Sequence, residues 1–552
     1  MDASSDRLFC CRWVRNKVPT ACRDELYHIL RMTGPLLLSR ILHYLLPFVV
    51  TMFCGRLGND VMAGYGLASA AINVTTAATG CGLGLACDTL VSQTFGGKNL
   101  LRVGVILQRG IIILMLFCLP CWGLLINAEA ILLCMGQEPE VAMFLYNLQV
   151  SYLQNQGIIM PQMYTALLAN IANLVTNYAF LHWMSLGVAG SAAANTLSQI
   201  YICVFLFAYI WWKKLHVNTW GGWSVESLQE WGSYMKLAIP SMLMVCFEWW
   251  VYEFGGFFAG MLSEDELAAQ HAVIMIAFIT YMFPLGIQAA ACARVGNALG
   301  AGDTARALLA SKLSLSLAVS FALVEGVVLG CTKTVIGYIF TSDENIARIV
   351  SNLMTAYCFL QLFDGLCVCT GIFLGTGKQR IPAVANFIAY YCVGLTMSVV
   401  LMFVAKLRVL GFWLGLLICV VLHSTFYIIV IFRLNWKKMT EEVFHLSSTD
   451  LLSVPYIFFL KSTDGYTPVK IQQHDGNSET WVEQEVRQQK SGHLSTTQLI
   501  IRRGLTMVTA LAFLAVGTAV HFLVPLPEME TNSTLDGINT TFTPHTTSSP
   551  VL

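Results

Sequence analysis

The sequence predicts an all-α polytopic membrane protein: two six-helix lobes in an internal repeat, plus a thirteenth transmembrane helix near the C-terminus. Three observations predict it. Of 552 residues, 56% are hydrophobic and only 12% charged, about half the charged share of a soluble domain. Apolar runs recur between residues 33 and 435, all but one of at least the roughly 20 residues that a bilayer crossing takes. The chain also repeats itself once, six runs against six. Lys plus Arg equals Asp plus Glu at 32 each, and no basic face stands out, which excludes a nucleic-acid surface.

Residues 1–32 carry Arg7, Arg12, Arg15, Lys17, Arg23 and Arg31 with no apolar run before them. That argues against a cleavable signal and for a cytosolic N-terminus. The first lobe, 33–215, holds apolar runs at 33–53, 61–86, 103–126, 141–154, 161–182 and 188–212. A linker at 216–236, with Trp220, Trp223 and Trp231, has the composition of an interfacial segment. The second lobe, 237–435, holds runs at 237–261, 268–292, 308–331, 347–373, 382–405 and 409–432. Residues 436–505 turn polar and are expected to form a disordered cytosolic loop. The run 506–524 is the thirteenth span, and 525–552 is an outward tail. That tail holds two glycosylation sequons, at Asn532 and Asn539, usable only on the lumenal side, where thirteen crossings would leave them.

Loop charges agree with this order. Lys98, Arg102, Lys213, Lys214, Arg294, Arg306, Lys378 and Arg380 fall on the cytosolic side, and Glu264, Asp265 and Glu266 on the other. Arg56, Lys333, Lys406 and Arg408 depart from the rule. The 18 cysteines lie mostly in apolar runs. Cys118 and Cys121 enclose Leu119 and Pro120 within a span, so they are packing residues, with no zinc-type spacing.

The repeat is explicit. Val91-Ser-Gln-Thr-Phe-Gly-Gly-Lys-Asn99 matches Val295-Gly-Asn-Ala-Leu-Gly-Ala-Gly-Asp303 at an offset of 204 residues, whereas Pro161 matches Pro382 and Gly190 matches Gly411 at 221. The 17-residue change falls on span four, 141–154, too short for a typical crossing. The positive charges after span six require it to cross nonetheless, under mismatch.

With the repeat, the segments CDTLVSQTFG (87–96), YLQNQGIIMPQ (152–162), CFEWWVYEFGGF (246–257), RVGNALGAGD (294–303) and GTGKQRIPA (375–383) carry a family likeness. The chain resembles the multidrug and toxin extrusion (MATE) family, and within it the vertebrate organic cation/proton antiporters, over roughly 30–437 and 495–524. The resemblance implies two lobes that open a central cavity alternately to each side.

Ionisable residues inside spans are costly and mark function. Span seven carries Glu248 and Glu253. Five residues put them about 140° apart around a helix, so one lines the cavity and the other packs between helices. A buried carboxyl holds its proton into the physiological range, so a cation and a proton can compete for it. Trp249 and Tyr252 could add cation–π contacts. Asp364 in span ten is the third proton- or cation-binding candidate, where the family places a Glu. Asn73 and Tyr281 match family cavity positions. Glu325 has no family pattern around it and is expected to be structural. Three departures bear on substrate range: Met275 replaces a Glu, Arg40 replaces a neutral Gln in span one, and Leu374 replaces an Arg before the GTGKQ loop.

The expected function is proton-coupled export of organic cations by alternating access. The proton is the coupling ion, no other cofactor or metal is needed, and the molecule works as a monomer in lipid at the plasma membrane or in intracellular vesicles. The competing expectations are a sodium-coupled exporter, a lipid-linked-substrate exporter of the same fold, and a variant impaired by its short fourth span. An enzyme is not expected, since GTGKQ lacks the first Gly and the Ser or Thr of a phosphate loop and no HExxH or GxSxG occurs.

Overall fold

The computed structural model describes residues 19–57, 72–125, 138–184, 187–339, 343–452 and 495–523. Among them there is no strand. In the first half, α1 is Thr20–Leu57, α2 Ala78–Gly96, α3 Leu100–Leu125, α4 Glu138–Gln154, α5 Met160–Tyr178 and α6 Gly187–Trp212. In the second, α7 is Trp231–Gly260, α8 Glu264–Gly300, α9 Thr304–Thr332, α10 Glu344–Asp364, α11 Val368–Thr376, α12 Arg380–Asn386 and α13 Val409–Arg433. Two more follow, α14 at Trp436–Leu452 and α15 at Thr496–Leu523. Ten helical stretches among the described residues are long and apolar enough to cross a membrane, α15 included. The fourth helix is indeed short at 17 residues, about 25 Å. It is nonetheless firmly held, with Phe144, Tyr146, Leu148, Val150, Tyr152 and Leu153 buried in the first-half core.

Each half builds its own core. Residues of α1 to α6 form the first, with Trp231, Tyr234 and Ala238 at the start of α7 joining it. The second gathers around Tyr357, Phe412 and Trp413, with the Trp413 indole donating to Gln270 Oε1 at 2.7 Å. Smaller clusters knit the halves together, one from α1 and α8, the other from α2, α7, α8, α11 and α12.

Two features break helical regularity. The tenth span is discontinuous: α10 stops at Asp364, Gly365–Cys367 tightens into a 3-10 turn, and α11 resumes at Val368. The Phe363 carbonyl at that break is taken by the Ser424 hydroxyl of α13 at 3.0 Å. Wide π-turns occur at Asn73–Ala77, Ala179–Trp183, Phe387–Leu395 and Val400–Val404, insertions that cluster at functional sites.

The disordered loop expected over 436–505 needs correcting at both ends. Trp436–Leu452 is a helix, because Trp436, Met439, Thr440 and Val443 recur at helical spacing and bury one face. The last helix begins at Thr496, well before the apolar run. The α15 helix packs on α3, where the backbones approach at Gly123 and Gly517, each leaving no room for a side chain on the other. Its Arg503 lies over the Trp231 ring at 4.1 Å and donates to the Leu228 carbonyl at 2.9 Å. Asn532 and Asn539 lie outside the described residues.

Candidate functional site

A polar pocket sits inside the second half, lined by Glu248, Asp364, Thr370, Tyr390, His423 and Tyr427 among others. Four separate spans supply these groups. Glu248 comes from the middle of α7, and Asp364 ends α10 at the 3-10 turn before α11. Tyr390 lies in the π-turn after α12, and His423 and Tyr427 are one helical turn apart on α13.

Hydrogen bonds fix the orientation of the pocket. The Tyr281 hydroxyl of α8 donates to Glu248 Oε1 at 2.6 Å. Asn386 holds the opposite wall: its Nδ2 donates to the Met244 carbonyl at 2.9 Å, so its Oδ1 must accept. That oxygen takes the Tyr427 hydroxyl at 2.6 Å and lies 2.7 Å from His423 Nε2. His423 is therefore the Nε2–H tautomer, and Nδ1 is the ring atom left able to accept. No metal-ligand cluster is present among the described residues.

The sequence-derived candidates divide. Glu248, Asp364 and Tyr281 come together. Glu253 lies outside the pocket, half-buried further along α7. Trp249 is 40% exposed and Tyr252 packs into the second-half core, so neither lines this pocket. In the middle of α7 it is Trp250 that reaches the other half, its indole donating to the Val74 carbonyl at 3.0 Å. Asn73 opens the π-turn ahead of α2. Arg40 is half-buried in the first half, where its charge acts on His43, Asp88 and Tyr146. It does not line the pocket around Glu248. Met275, at the Glu departure, instead takes a contact from the Tyr44 hydroxyl at 3.5 Å. Glu325 accepts from the Gln361 amide, a helix-to-helix tie. His423 and Asn386 were missed, although a histidine and an asparagine inside apolar runs are a signal by themselves.

A second constellation closes the bundle at the end carrying the α2–α3 and α8–α9 connections. The repeated segments make it. Gln93 of α2 donates to the Gly375 carbonyl of α11 at 2.9 Å, and its repeat mate Asn297 of α8 donates to the Asn155 carbonyl after α4 at 3.2 Å. Thr89 adds a bond to the Leu374 carbonyl at 2.8 Å and accepts from the Gln379 amide at 2.6 Å. A side chain at Gly96 would run into the Asn297 backbone, and one at Gly300 into Gln93. Buried Asp88 accepts from Gln154 at 2.9 Å and Asn155 at 2.6 Å, which holds the turn that Asn297 grips. Each half thus reaches across to the other by the same element. The closure is an approximate two-fold, and it leaves this end sealed.

Comparison with known proteins gives a consistent picture. The MatE family model matches residues 35–179 and 240–400. "Multidrug and toxin extrusion protein 1" of Danio rerio is 46% identical over 94% of this chain and 95% of its own length. The Homo sapiens protein of the same description is 42% identical over 92% and 95%. The crystal structure of the eukaryotic MATE transporter AtDTX14 superposes with a TM-score of 0.72 at 24% identity, covering 77% of this chain and all of its own. At that identity the likeness speaks for the fold, which the solved chain shares without a counterpart to about a quarter of this one.

Proposed function

The chain belongs to the multidrug and toxin extrusion family and is a multi-pass membrane transporter, and on that premise we propose that it exchanges protons for organic cations through the pocket around Glu248. One observation carries this: two carboxyls from different spans, Glu248 and Asp364, line one pocket whose lining holds no Lys or Arg. Such a pocket can hold a cation or protons to neutralise it, and not both. Tyr281 favours the ionised Glu248 by donating to it. Asp364, at the end of a broken helix, sits where backbone and side chain can shift together.

In this proposal the sealed end faces the cytosol, as the charges of Lys98, Arg102, Lys378 and Arg380 favour. Protons then enter from outside, the halves rock, and a cytosolic cation replaces the proton. Exchange of one proton for one monovalent cation is electroneutral, and each pH unit drives about a tenfold cation ratio, roughly 1.4 kcal/mol. The molecule acts as a monomer at the plasma membrane, without other cofactors, and its short α4, packed as it is, is compatible with transport.

The test is uptake of a tetraalkylammonium into vesicles under an imposed proton gradient of either sign. The expected result is uptake that rises when the inside is acid, ignores sodium, and vanishes in Glu248→Gln. Flux driven by sodium and indifferent to pH would overturn proton coupling, and no flux under any gradient would overturn the substrate class.

A further inference from the structure

Glu25 lies near the start of α1, before the first apolar run, and is only 4% exposed. It belongs to the first half. Both of its oxygens are held by the second half: Arg294 of α8 donates Nε to Oε1 at 2.7 Å and Nη2 to Oε2 at 2.6 Å, and Arg306 of α9 donates Nε to Oε2 at 3.1 Å. Arg294 is 14% exposed on its side chain, and Arg306 47%. This is a two-point fork on a buried carboxylate, with a second arginine closing it from the rim.

The pocket chemistry does not require this cluster, and the repeat supplies only a looser, more solvated counterpart: Glu230, just ahead of α7 and 32% exposed on its side chain, accepts from Arg102 of α3 at 3.1 Å and from Arg109 at 3.4 Å, Arg102 being the mate of Arg306 at the 204-residue offset. Gln93 and Asn297 each make one neutral bond across the seam, of the kind worth about 1 kcal/mol net. The charged fork is stronger per bond. Its strength is also tied to the sealed arrangement: α1 cannot separate from α8 at this end without pulling Glu25 out of both arginines. Burial alone would raise the Glu25 pKa, and the two arginines outweigh it and hold the carboxyl below its usual range. The Glu25 carboxyl therefore stays ionised at physiological pH.

We propose that Glu25, Arg294 and Arg306 form the lock that sets the resting state of the transporter, holding the cytosolic end shut until the halves rock. Glu25 is a positioning residue, acting on the population of states and touching no substrate. The inference rests on alternating access and on the sealed end being cytosolic, and it is independent of which ion drives transport.

Breaking one partner of a buried pair leaves the other charge stranded in the sealed state only. The open state, where water reaches both, loses little. The ratio of open to sealed molecules should rise at least about tenfold in Glu25→Gln. Cation loading from the cytosolic side samples only open molecules, so its apparent KM should fall by a similar factor while they stay a minority. Maximal turnover should fall too, because resealing becomes the slow step.

The experiment uses the full chain in lipid nanodiscs, with probes carried by unnatural amino acids at exposed Asn218 and Lys437, one on each half. Distances are recorded without substrate or proton gradient. The expected result is a single short distance in the parent, and a longer one gaining at least about tenfold in Glu25→Gln and in Arg294→Gln, with no further gain in the double variant. Arg306→Gln, at the rim, should shift the ratio by about threefold and keeps the test open if the buried changes fail to fold. An unchanged ratio in all three variants, or effects that simply add in the double, would overturn the lock. Failure of proton/cation exchange would show in the vesicle fluxes and leave these distances unaffected.

Discussion

At Glu248 a carboxylate, a phenol and a second carboxyl from another span meet in one pocket. Removing the phenol tests whether the bond matters to function: Tyr281→Phe should lower kcat/KM for a cation about tenfold, the worth of one hydrogen bond to a charged group, measured by initial uptake rates. Asn386→Leu should act differently, because it strands the Tyr427 hydroxyl and His423 at once. A loss of about 1–3 kcal/mol per stranded group is expected, read as a lower Tm of the detergent-solubilised protein. Much of this residue scale was legible beforehand. Glu248 and Asp364 stood out as ionisable groups in apolar runs, and Tyr281 was reached only through the family resemblance. Trp249 and Tyr252 were placed in the cavity because they neighbour Glu248 in sequence. One residue turns a helix by about 100°, which puts Trp249 on the exposed face, and Tyr252 is drawn into the core of the second half. Asn386 and His423 lie far from Glu248 in the chain, and only the packing of α7, α12 and α13 brings them to it.

Among the elements, the crossing of α2 and α8 is the tightest place in the bundle, since Gly96 and Gly300 lie against the opposing backbone. Gly300→Val should wedge the seam apart, destabilise the sealed state and raise proteolytic access to the α8–α9 connection. Gly232→Ala, with open space around it, is the matched control and should leave that access unchanged. The offset of 204 residues already paired Gln93 with Asn297. That each crosses to the other half's loop could not be read from it, because a repeat shows likeness and not which surfaces meet. Several element extents departed from hydropathy: α1 starts 13 residues before its apolar run and α2 ends ten residues after its own, while others are explained by local contacts. The α7 helix starts at Trp231, six residues before its apolar run, since Trp231 and Tyr234 are buried against the first half. The α14 helix survives in a polar stretch because one face of it is apolar. The tenth span breaks at Asp364, where Gly365 and the Ser424 hydroxyl make the interruption cheap.

For the whole molecule, the two halves are joined by neutral bonds of the repeat, by the Glu25 fork and by its looser counterpart at Glu230, and a titratable neighbour sits beside the Glu25 fork. His28, one turn after Glu25, is held below its usual pKa range by burial and then by Arg294, with Arg306 and Arg31 adding to this and Glu25 opposing. The imidazole is thus neutral in the sealed state. When the halves part it should recover toward 6.5 and take a proton. The sealed state is therefore favoured above that pH and loses favour as cytosolic pH falls through it. The open fraction should grow as pH drops from about 7.5 to 5.5, and His28→Gln should flatten that response while leaving the Glu25 lock in place, both visible in the same distance measurement.

The central claim is that the Glu248 pocket holds a proton or a cation, one in exchange for the other. Binding itself tests this without any membrane gradient. Purified protein in weak buffer near pH 7 is titrated with a tetraalkylammonium cation while released protons are followed with a pH dye and bound cation is counted. The account predicts close to one proton released for each cation bound, with both events lost in Glu248→Gln. Cation binding without proton release, or release that persists undiminished in Glu248→Gln, would contradict it.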